Sequence, residues 1–546
     1  MGDLFNGASF EDYEQYLVEN VIERNPKIGK IYTKLDLKKM NVEDVFNDES
    51  LSKREFVELI ASRRRIGYDP TVGGGNKAAE DETDRLYAKN PWKFVEEFLQ
   101  NADDCEYRDV PEVDIIVDEQ ESTVEFVYNE LGFTKRDIWA IAAFSQSTKN
   151  NDIVEYQANE GVFYREKTGR KGKGFKSVFS LKAENVIVQI RSNGYCFKLD
   201  NNIGRVLPVW EEDTSRMDGK THVIVKLVNP SFDLNEIYPE FKELFCVERC
   251  EDIFAKSPFI FMHRIKSVHI KRIGKSGIDE FKVSYLEDKT KTLYRNEVKI
   301  NQRKTILAGI ANEGRYYEEQ FQEGCIKITL NSKEKQDIQV VRYTRMVEDE
   351  QAYRNYSIMS PVLKNNDVFV CENGALFRTF PMSLHGFNMP MAIDAPFELN
   401  PDRSGIQYRD EKTDTINASD WNSVVSANLF EDGGVYEAFL LWIRTIHDIR
   451  MDKYIRAKDI VLFEDRSNLD SRGKDWVERI NISNLSKNIP IFRLFADENE
   501  YVCFNAAVDD YSNILQPLMH FPHVVPHEAI MFLIPVRRKM HGMVTM

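Results

Sequence analysis

Glu97, Asn101 and Asp104 stand at i, i+4 and i+7 in the run Glu96-Glu97-Phe98-Leu99-Gln100-Asn101-Ala102-Asp103-Asp104. On a helix that spacing lines a carboxylate, an amide and a second carboxylate along one stripe. Mg²⁺ takes oxygen ligands and keeps waters, so one side-chain oxygen plus phosphates suffices to hold it. A carboxylate one turn away is placed to orient or deprotonate a water. A solvated acidic face has the same pattern. The second candidate is Gly169-Arg170-Lys171-Gly172-Lys173-Gly174-Phe175-Lys176-Ser177, followed by the apolar Val178-Phe179. Its glycines let main-chain N–H groups approach phosphates, and a helix start adds positive potential. It is not a Walker A loop, because Phe175 intervenes between Gly174 and Lys176, and no strand runs straight into it as a dinucleotide fingerprint requires. A flexible turn has the same composition.

The elements around these runs follow from period. Phe56, Leu59 and Ile60 predict a helix over Ser52–Arg65, and Tyr13, Tyr16, Leu17, Val21 and Ile22 an earlier one. Gly73-Gly74-Gly75 reads as a break. Trp92, Val95, Phe98, Leu99 and Ala102 predict a helix after Asn90-Pro91. Val113, Ile115 and Val117, then Val124, Phe126 and Tyr128, alternate as paired strands. Asp137–Phe144 reads as helix, 145–171 as a long polar loop and Gly174–Ser180 as a helix start. Strands are expected at Asn185–Arg191, Tyr195–Leu199 and Thr221–Leu227. Further strands are expected at Val268–Ile273, Phe281–Tyr285, Cys325–Leu330, Ile338–Val341 and Val368–Cys371. Helices return from Ala418, with Trp421, Val424, Val425 and Leu429, then over Val435–Ile449.

The predicted class is α+β: an α/β sandwich, a strand-rich middle domain and a helical or mixed C-terminal region. The boundaries are a helical extension over 1–84, a ligand-binding domain over 85–230, the middle domain over 231–410 and the last region over 411–546. A net charge of −16 across 546 residues gives no indication of nucleic-acid binding. No run approaches the roughly 20 apolar residues of a membrane span, and the acidic N-terminus carries no secretory h-region. Seven scattered cysteines fit a reduced, cytoplasmic protein. Cys246 and Cys250 read as buried thiols, His520, His523 and His527 as ordinary histidines, and Arg63-Arg64-Arg65 as a solvated helix end.

The order of the pieces resembles the Bergerat ATP-binding fold of the GHKL superfamily, which includes gyrase, heat-shock chaperone, histidine kinase and MutL-type ATPases. In closer detail it is similar to the sacsin/NO VEIN-like branch. The shared residues are Leu86-Tyr87-Ala88-Lys89, Phe94, Glu97, Gln100-Asn101-Ala102-Asp103-Asp104 and Tyr107. Three further boxes follow in order: Asn129-Glu130-Leu131-Gly132-Phe133, Ser147-Thr148-Lys149, and Gly169 to Phe179. The likeness covers residues 80–430 and is strongest over 85–230.

That resemblance implies ATP and Mg²⁺ as cofactors. Glu97 would be the water-activating carboxylate, Asn101 the Mg²⁺ ligand and Asp104 the acidic pocket wall. Asn129, Glu130, Gly132 and Phe133 would form the second box, and Lys149 the third. Gly169, Lys171, Gly172, Lys173, Gly174, Phe175 and Lys176 would form the phosphate-facing lid hinge. Thr221 would lie under the adenine. The likeness departs at Tyr128, which stands where the wider superfamily has the aspartate that reads adenine. Asn129, Glu130 and Asp104 are the replacements on offer, the alternative being a loose base selectivity. In the middle domain, Arg403 in Asn400-Pro401-Asp402-Arg403 is a candidate γ-phosphate cation, or a turn arginine with a local partner. The implied activity is a slow ATPase switch that closes as an ATP-dependent homodimer. It would serve a chaperone-like or bacterial antiphage role through a separate effector. A nucleotide-sensing scaffold without hydrolysis is the alternative. A histidine kinase fits poorly, because no dimerising phosphoacceptor helix precedes the boxes.

Overall fold

A computed structural model describes residues 15, 42–68, 75–87, 92–144, 153–158, 161–166, 174–212, 215, 218–275, 277–298, 315–347, 354–361, 375–382, 392–395 and 397, and short strands at 492–493, 501–502, 508–509 and 524–525. The chain divides into two units, one of residues 1–250, 258–286 and 326–337, the other of the remainder. Among the described residues no helix is long and apolar enough to cross a membrane.

In chain order the first unit carries helices α1 (Val42–Asn47), α2 (Lys53–Arg65), α3 (Gly75–Tyr87) and α4 (Lys93–Asp103), then strands β1 (Glu112–Asp118) and β2 (Thr123–Tyr128). Helix α5 (Lys135–Ile141), strands β3 (Ile153–Ala158) and β4 (Gly161–Glu166) and a 3₁₀ turn (Gly174–Ser180) follow. Next come β5 (Ala183–Ser192), β6 (Tyr195–Asp200), β7 (Gly204–Trp210), β8 (Thr221–Pro230), α6 (Ile237–Leu244), β9 (Ser267–Gly274) and β10, which begins at Gly277. The class is therefore α+β, as the sequence predicts. The sheet order is β9-β1-β2-β8-β5-β6-β7. All these pairs are antiparallel except β1 with β9, which run parallel in register from Glu112↔Ser267 to Asp118↔Ile273.

Alternation explains β1: Val113, Ile115 and Val117 are fully buried while their neighbours are half-exposed. Period 3.6 explains α4, whose Phe94, Val95, Phe98, Leu99 and Ala102 are buried. Phe98 meets Phe126 of β2 edge-on at 5.0 Å between ring centroids. Each such ring removed from water contributes about 1.5–3 kcal/mol. Helix α4 is held at its far end by Asp103, whose carboxylate accepts the main-chain N–H groups of His263 (3.0 Å), Arg264 (2.8 Å) and Ile265 (3.0 Å).

Five local readings are corrected. Residues 145–171 are not one loop, since β3 and β4 pair as a hairpin from Ile153↔Glu166 to Ala158↔Gly161. The Gly174 segment is a 3₁₀ turn rather than an α-helix, closed by Ser177 Oγ donating to Gly174 O at 2.6 Å. Helix α5 starts two residues earlier than read, at a capping box between Thr134 and Asp137, and stops at Ile141. Gly75 opens α3, a helix whose sparse apolar pattern hid it. Arg64 is half-buried rather than solvated: its guanidinium reaches Ala142 O (2.6 Å) and lies 4.8 Å from the Trp139 ring centre. Burial lowers its pKa to about 10, with Arg63 beside it adding to the fall.

In the second unit, Arg354–Pro361 pairs antiparallel with Ala392–Asp394, which runs parallel to Leu376–Arg378. The expected strand at 368–371, the helices from 418 onward, the segment 13–22 apart from Gln15, and Arg403 lie outside the described residues.

Candidate functional site

Two clusters of predicted residues form, one at each end of the Glu97–Asp104 stripe of α4. At the first, Gly174 of the 3₁₀ turn lies so close to Glu97 that a β-carbon there would overlap the Glu97 carboxylate. The main chain of the turn thus comes close to the Glu97 side chain, and the contact joins two motifs far apart in sequence. Phe175 fastens the contact by stacking on Phe98, with centroids 5.0 Å apart and planes within 19°. Glu97 is buried and Asn101, one turn on, is half-buried. The acidic-face reading of this stripe therefore does not describe Glu97. Asp104 is buried and ends the helix, its N–H closing on Gln100 O at 3.1 Å.

At the other end, Tyr107 bridges to Glu130, and Leu131 N–H donates to Glu106 O at 2.9 Å. These contacts set the second box beside the end of α4. The stripe from Glu97 to Asp104 rises about 10 Å between the clusters. Glu130 is buried and accepts on both oxygens, from Gly132 N–H at 2.7 Å and from the Thr221 hydroxyl. Thr221 Oγ1 is 2.5 Å from Ser192 Oγ, which accepts Phe133 N–H at 2.7 Å. Since Thr221 gives its proton to Glu130, Ser192 must donate to Thr221. The chain of donors thus runs from Phe133 through two hydroxyls to one carboxylate. Burial raises the Glu130 pKa, against the lowering effect of the Thr221 and Gly132 donors, and Asp137 adds to the rise. Gly132 has φ +93° and sits where a β-carbon would be 2.7 Å from Asn193 Cβ, so its backbone and its packing both require glycine.

Two candidates have other work. Asn129 accepts from Glu112 N–H at 3.0 Å and donates to Val110 O at 2.8 Å, pinning the start of β1. Both ends of its amide are engaged there, so of the replacements for the missing aspartate it is the worst placed. Lys176 is turned to main-chain carbonyls, Ile141 O at 2.5 Å and Arg205 O at 2.6 Å, rather than offered to a phosphate. Lys149, Gly169, Lys171, Gly172 and Lys173 lie outside the described residues. Tyr128 is buried at the end of β2, opposite Thr221. Its hydroxyl pKa is raised by burial, with Cys105 and Glu130 adding to it.

Sequence reasoning missed Ser192, Asp103 and Arg205. Nothing in an isolated Ser-Asn-Gly turn marks Ser192 as a partner of Thr221. Asp103 reads in sequence only as one more acid of the first box, off the stripe.

The donor set fits a magnesium nucleotide. Asn101 and Glu97 offer hard oxygens, Gly174 keeps a side-chain-free approach beside Glu97, and Glu130 with Thr221 is a directional acceptor–hydroxyl pair.

No family model matches the chain. Over 135 residues, 24% of its length, it is 33% identical to Protein NO VEIN of Arabidopsis thaliana, of which that stretch is 4%. The chain thus spans only a small part of that relative. Among solved structures, the ATPase region of Saccharomyces cerevisiae topoisomerase II bound to ICRF-187 (dexrazoxane) is similar over 36% of this chain and 58% of that one, at 17% identity and a TM-score of 0.22. A likeness so loose carries nothing about the site.

Proposed function

We propose that this chain is a GHKL-type conformational switch of the sacsin/NO VEIN-like branch that binds ATP with Mg²⁺ and hydrolyses it slowly. The observation that carries the reading is the meeting of Gly174 with the Glu97 carboxylate. It joins the glycine-rich box to the acidic helix in the arrangement that phosphate binding beside a general base requires. The stretch shared with Protein NO VEIN agrees with the branch that the four boxes resemble.

In this reading Asn101 holds Mg²⁺, which when bound supplies positive charge against the phosphoryl oxygens. Glu97 orients the attacking water and takes its proton. Glu130, held by Thr221, replaces the missing aspartate as acceptor for the adenine amino group. It lies two residues after Tyr128, and its longer side chain and the Thr221 hydroxyl fix its direction. Asp104 lines the wall between. Lys149, Lys171 and Lys173 are left as phosphate contacts, with Arg403 as a cation from the middle domain. ATP-dependent dimerisation, a separate effector and a chaperone-like or antiphage role are parts of the same proposal.

The test is ATP binding and phosphate release, with Mg²⁺, on wild type and Glu97→Ala side by side. The variant should still bind ATP and lose about 10²–10⁴-fold in turnover. Turnover that survives the change would remove Glu97 from its role. Tyr128 in the second box favours one rival, a nucleotide sensor that binds without hydrolysis. Binding by both proteins with release by neither would select it.

A further inference from the structure

Lys176 carries a fully buried amino group in the glycine-rich box, and among the described residues it donates to main-chain carbonyls rather than to a carboxylate. One of its acceptors, Ile141 O, belongs to the last turn of α5, where carbonyls lack helical partners and the dipole is negative. Arg64 serves the same helix end through Ala142 O. The other acceptor, Arg205 O, belongs to a residue that is itself immobilised. The Arg205 guanidinium grips both oxygens of Asp84 at 2.8 Å and Asn201 Oδ1 at 2.7 Å, and the Arg205 main-chain N–H donates to Glu80 Oε1 at 3.2 Å. Ser180, at the end of the 3₁₀ turn, also donates to Asp84 at 3.2 Å.

Burying a charge is costly, so a side chain needed only to fill space would be apolar. Burial, with Arg64 and Arg205 nearby, holds the Lys176 pKa well below the usual lysine range. That cost persists beside a geometric result. Two residues before Lys176, the Gly174 backbone touches the Glu97 carboxylate. Pulling the amino group toward Ile141 and Arg205 fixes the turn, and the turn fixes where Glu97 can stand.

We propose that Lys176 is a positioning residue: anchored through Ile141 and Arg205 to α5 and α3, it holds Gly174 against Glu97 and so sets the water-activating carboxylate. The proposal rests on the ATPase reading. It separates Lys176 from the phosphate contacts of its box and makes Glu80 and Asp84 of α3, which lie outside the four boxes, part of the site's scaffold.

The experiment uses the full chain as wild type, Lys176→Met, Lys176→Arg and Asp84→Asn. It measures ATP affinity, phosphate release and deuterium uptake of residues 174–180 in nucleotide-free protein. Lys176→Met should lower turnover about tenfold or more while ATP affinity stays within about threefold. Its uptake over 174–180 should rise, and Lys176→Arg should recover part of both. Asp84→Asn acts from a side chain that is 45% exposed, so it serves even where Lys176→Met does not fold. It should move both readouts the same way by less. Equal falls in affinity and turnover would make Lys176 a ligand contact and overturn the proposal. Unchanged turnover and uptake in folded variants would make it a space filler and overturn the proposal equally. A wild type that binds no ATP would sink the ATPase reading separately. Raised uptake would then still support the anchor, and unchanged uptake would remove it.

Discussion

The two ends of the α4 stripe are built by different physics. Around Glu130 the parts are held by a buried chain of hydrogen bonds, from Phe133 through Ser192 and Thr221 to a carboxylate. Around Gly174 they are held by contact: a missing side chain against Glu97 and a ring stacked on Phe98. Hydrogen-bonded chains are directional and titrate; packed contacts do neither. A base edge is recognised by donors and acceptors in set directions, whereas phosphates need backbone brought close. Each end has the construction that its proposed half of the ligand demands.

The contrast breaks most sharply at Gly174. Gly174→Ala should cost about 1–3 kcal/mol of stability, because the added carbon must push the buried Glu97 carboxylate aside. Combining it with Glu97→Ala should return much of that loss, a coupling of about 0.5–3 kcal/mol in a double-mutant cycle of denaturant melts. Simple additivity would mean that the two residues do not touch in solution.

A similar but pH-dependent loss belongs at the hydrogen-bonded end. Thr221→Val keeps the shape and removes the hydroxyl between Ser192 and Glu130, at about 1–3 kcal/mol. Burial raises the Glu130 pKa from its ordinary 4.5, so the folded protein binds this proton more tightly than the unfolded chain. The stability linked to it is present below 4.5 and is lost as pH rises through the folded pKa. Glu130→Gln does not titrate, so its melting temperature relative to wild type should climb as pH is raised from about 4 to about 8. A flat difference would mean that Glu130 is not buried as described. The smallest effect is expected from Phe175→Leu. It keeps an apolar group and loses only the stacking on Phe98, about 0.5–1.5 kcal/mol, with no dependence on pH.

What could be read without coordinates follows the same division. The period-two run of β1 and the apolar stripe of α4 were legible, because burial of alternate or every third and fourth residue leaves its mark on neighbours in the chain. Helix α3 was legible only as part of a helical extension and not as an element of its own, since only Glu80, Thr83 and Tyr87 of its thirteen residues are buried, two of them polar. The hairpin of β3 and β4 stayed hidden within a polar run that reads as loop.

At the site, the family resemblance implied that the acidic helix and the glycine-rich box act together and that Thr221 lies under a base, whereas residue types alone marked only the helix and the box. Both follow from local chemistry: oxygen ligands at helical spacing, and glycines where main chain must come close. Only the tertiary structure decided how the candidates divide. It committed Asn129 to Val110 and Glu112, turned Lys176 to the carbonyls of Ile141 and Arg205, and left Glu130 tied to Thr221. Those partners lie between 17 and 91 residues away, at distances that no spacing rule spans. A lysine beside glycines reads as a phosphate ligand until the fold brings a helix-end carbonyl within its reach. Whether a polar group serves a ligand or the scaffold depends on which acceptor lies nearest in space.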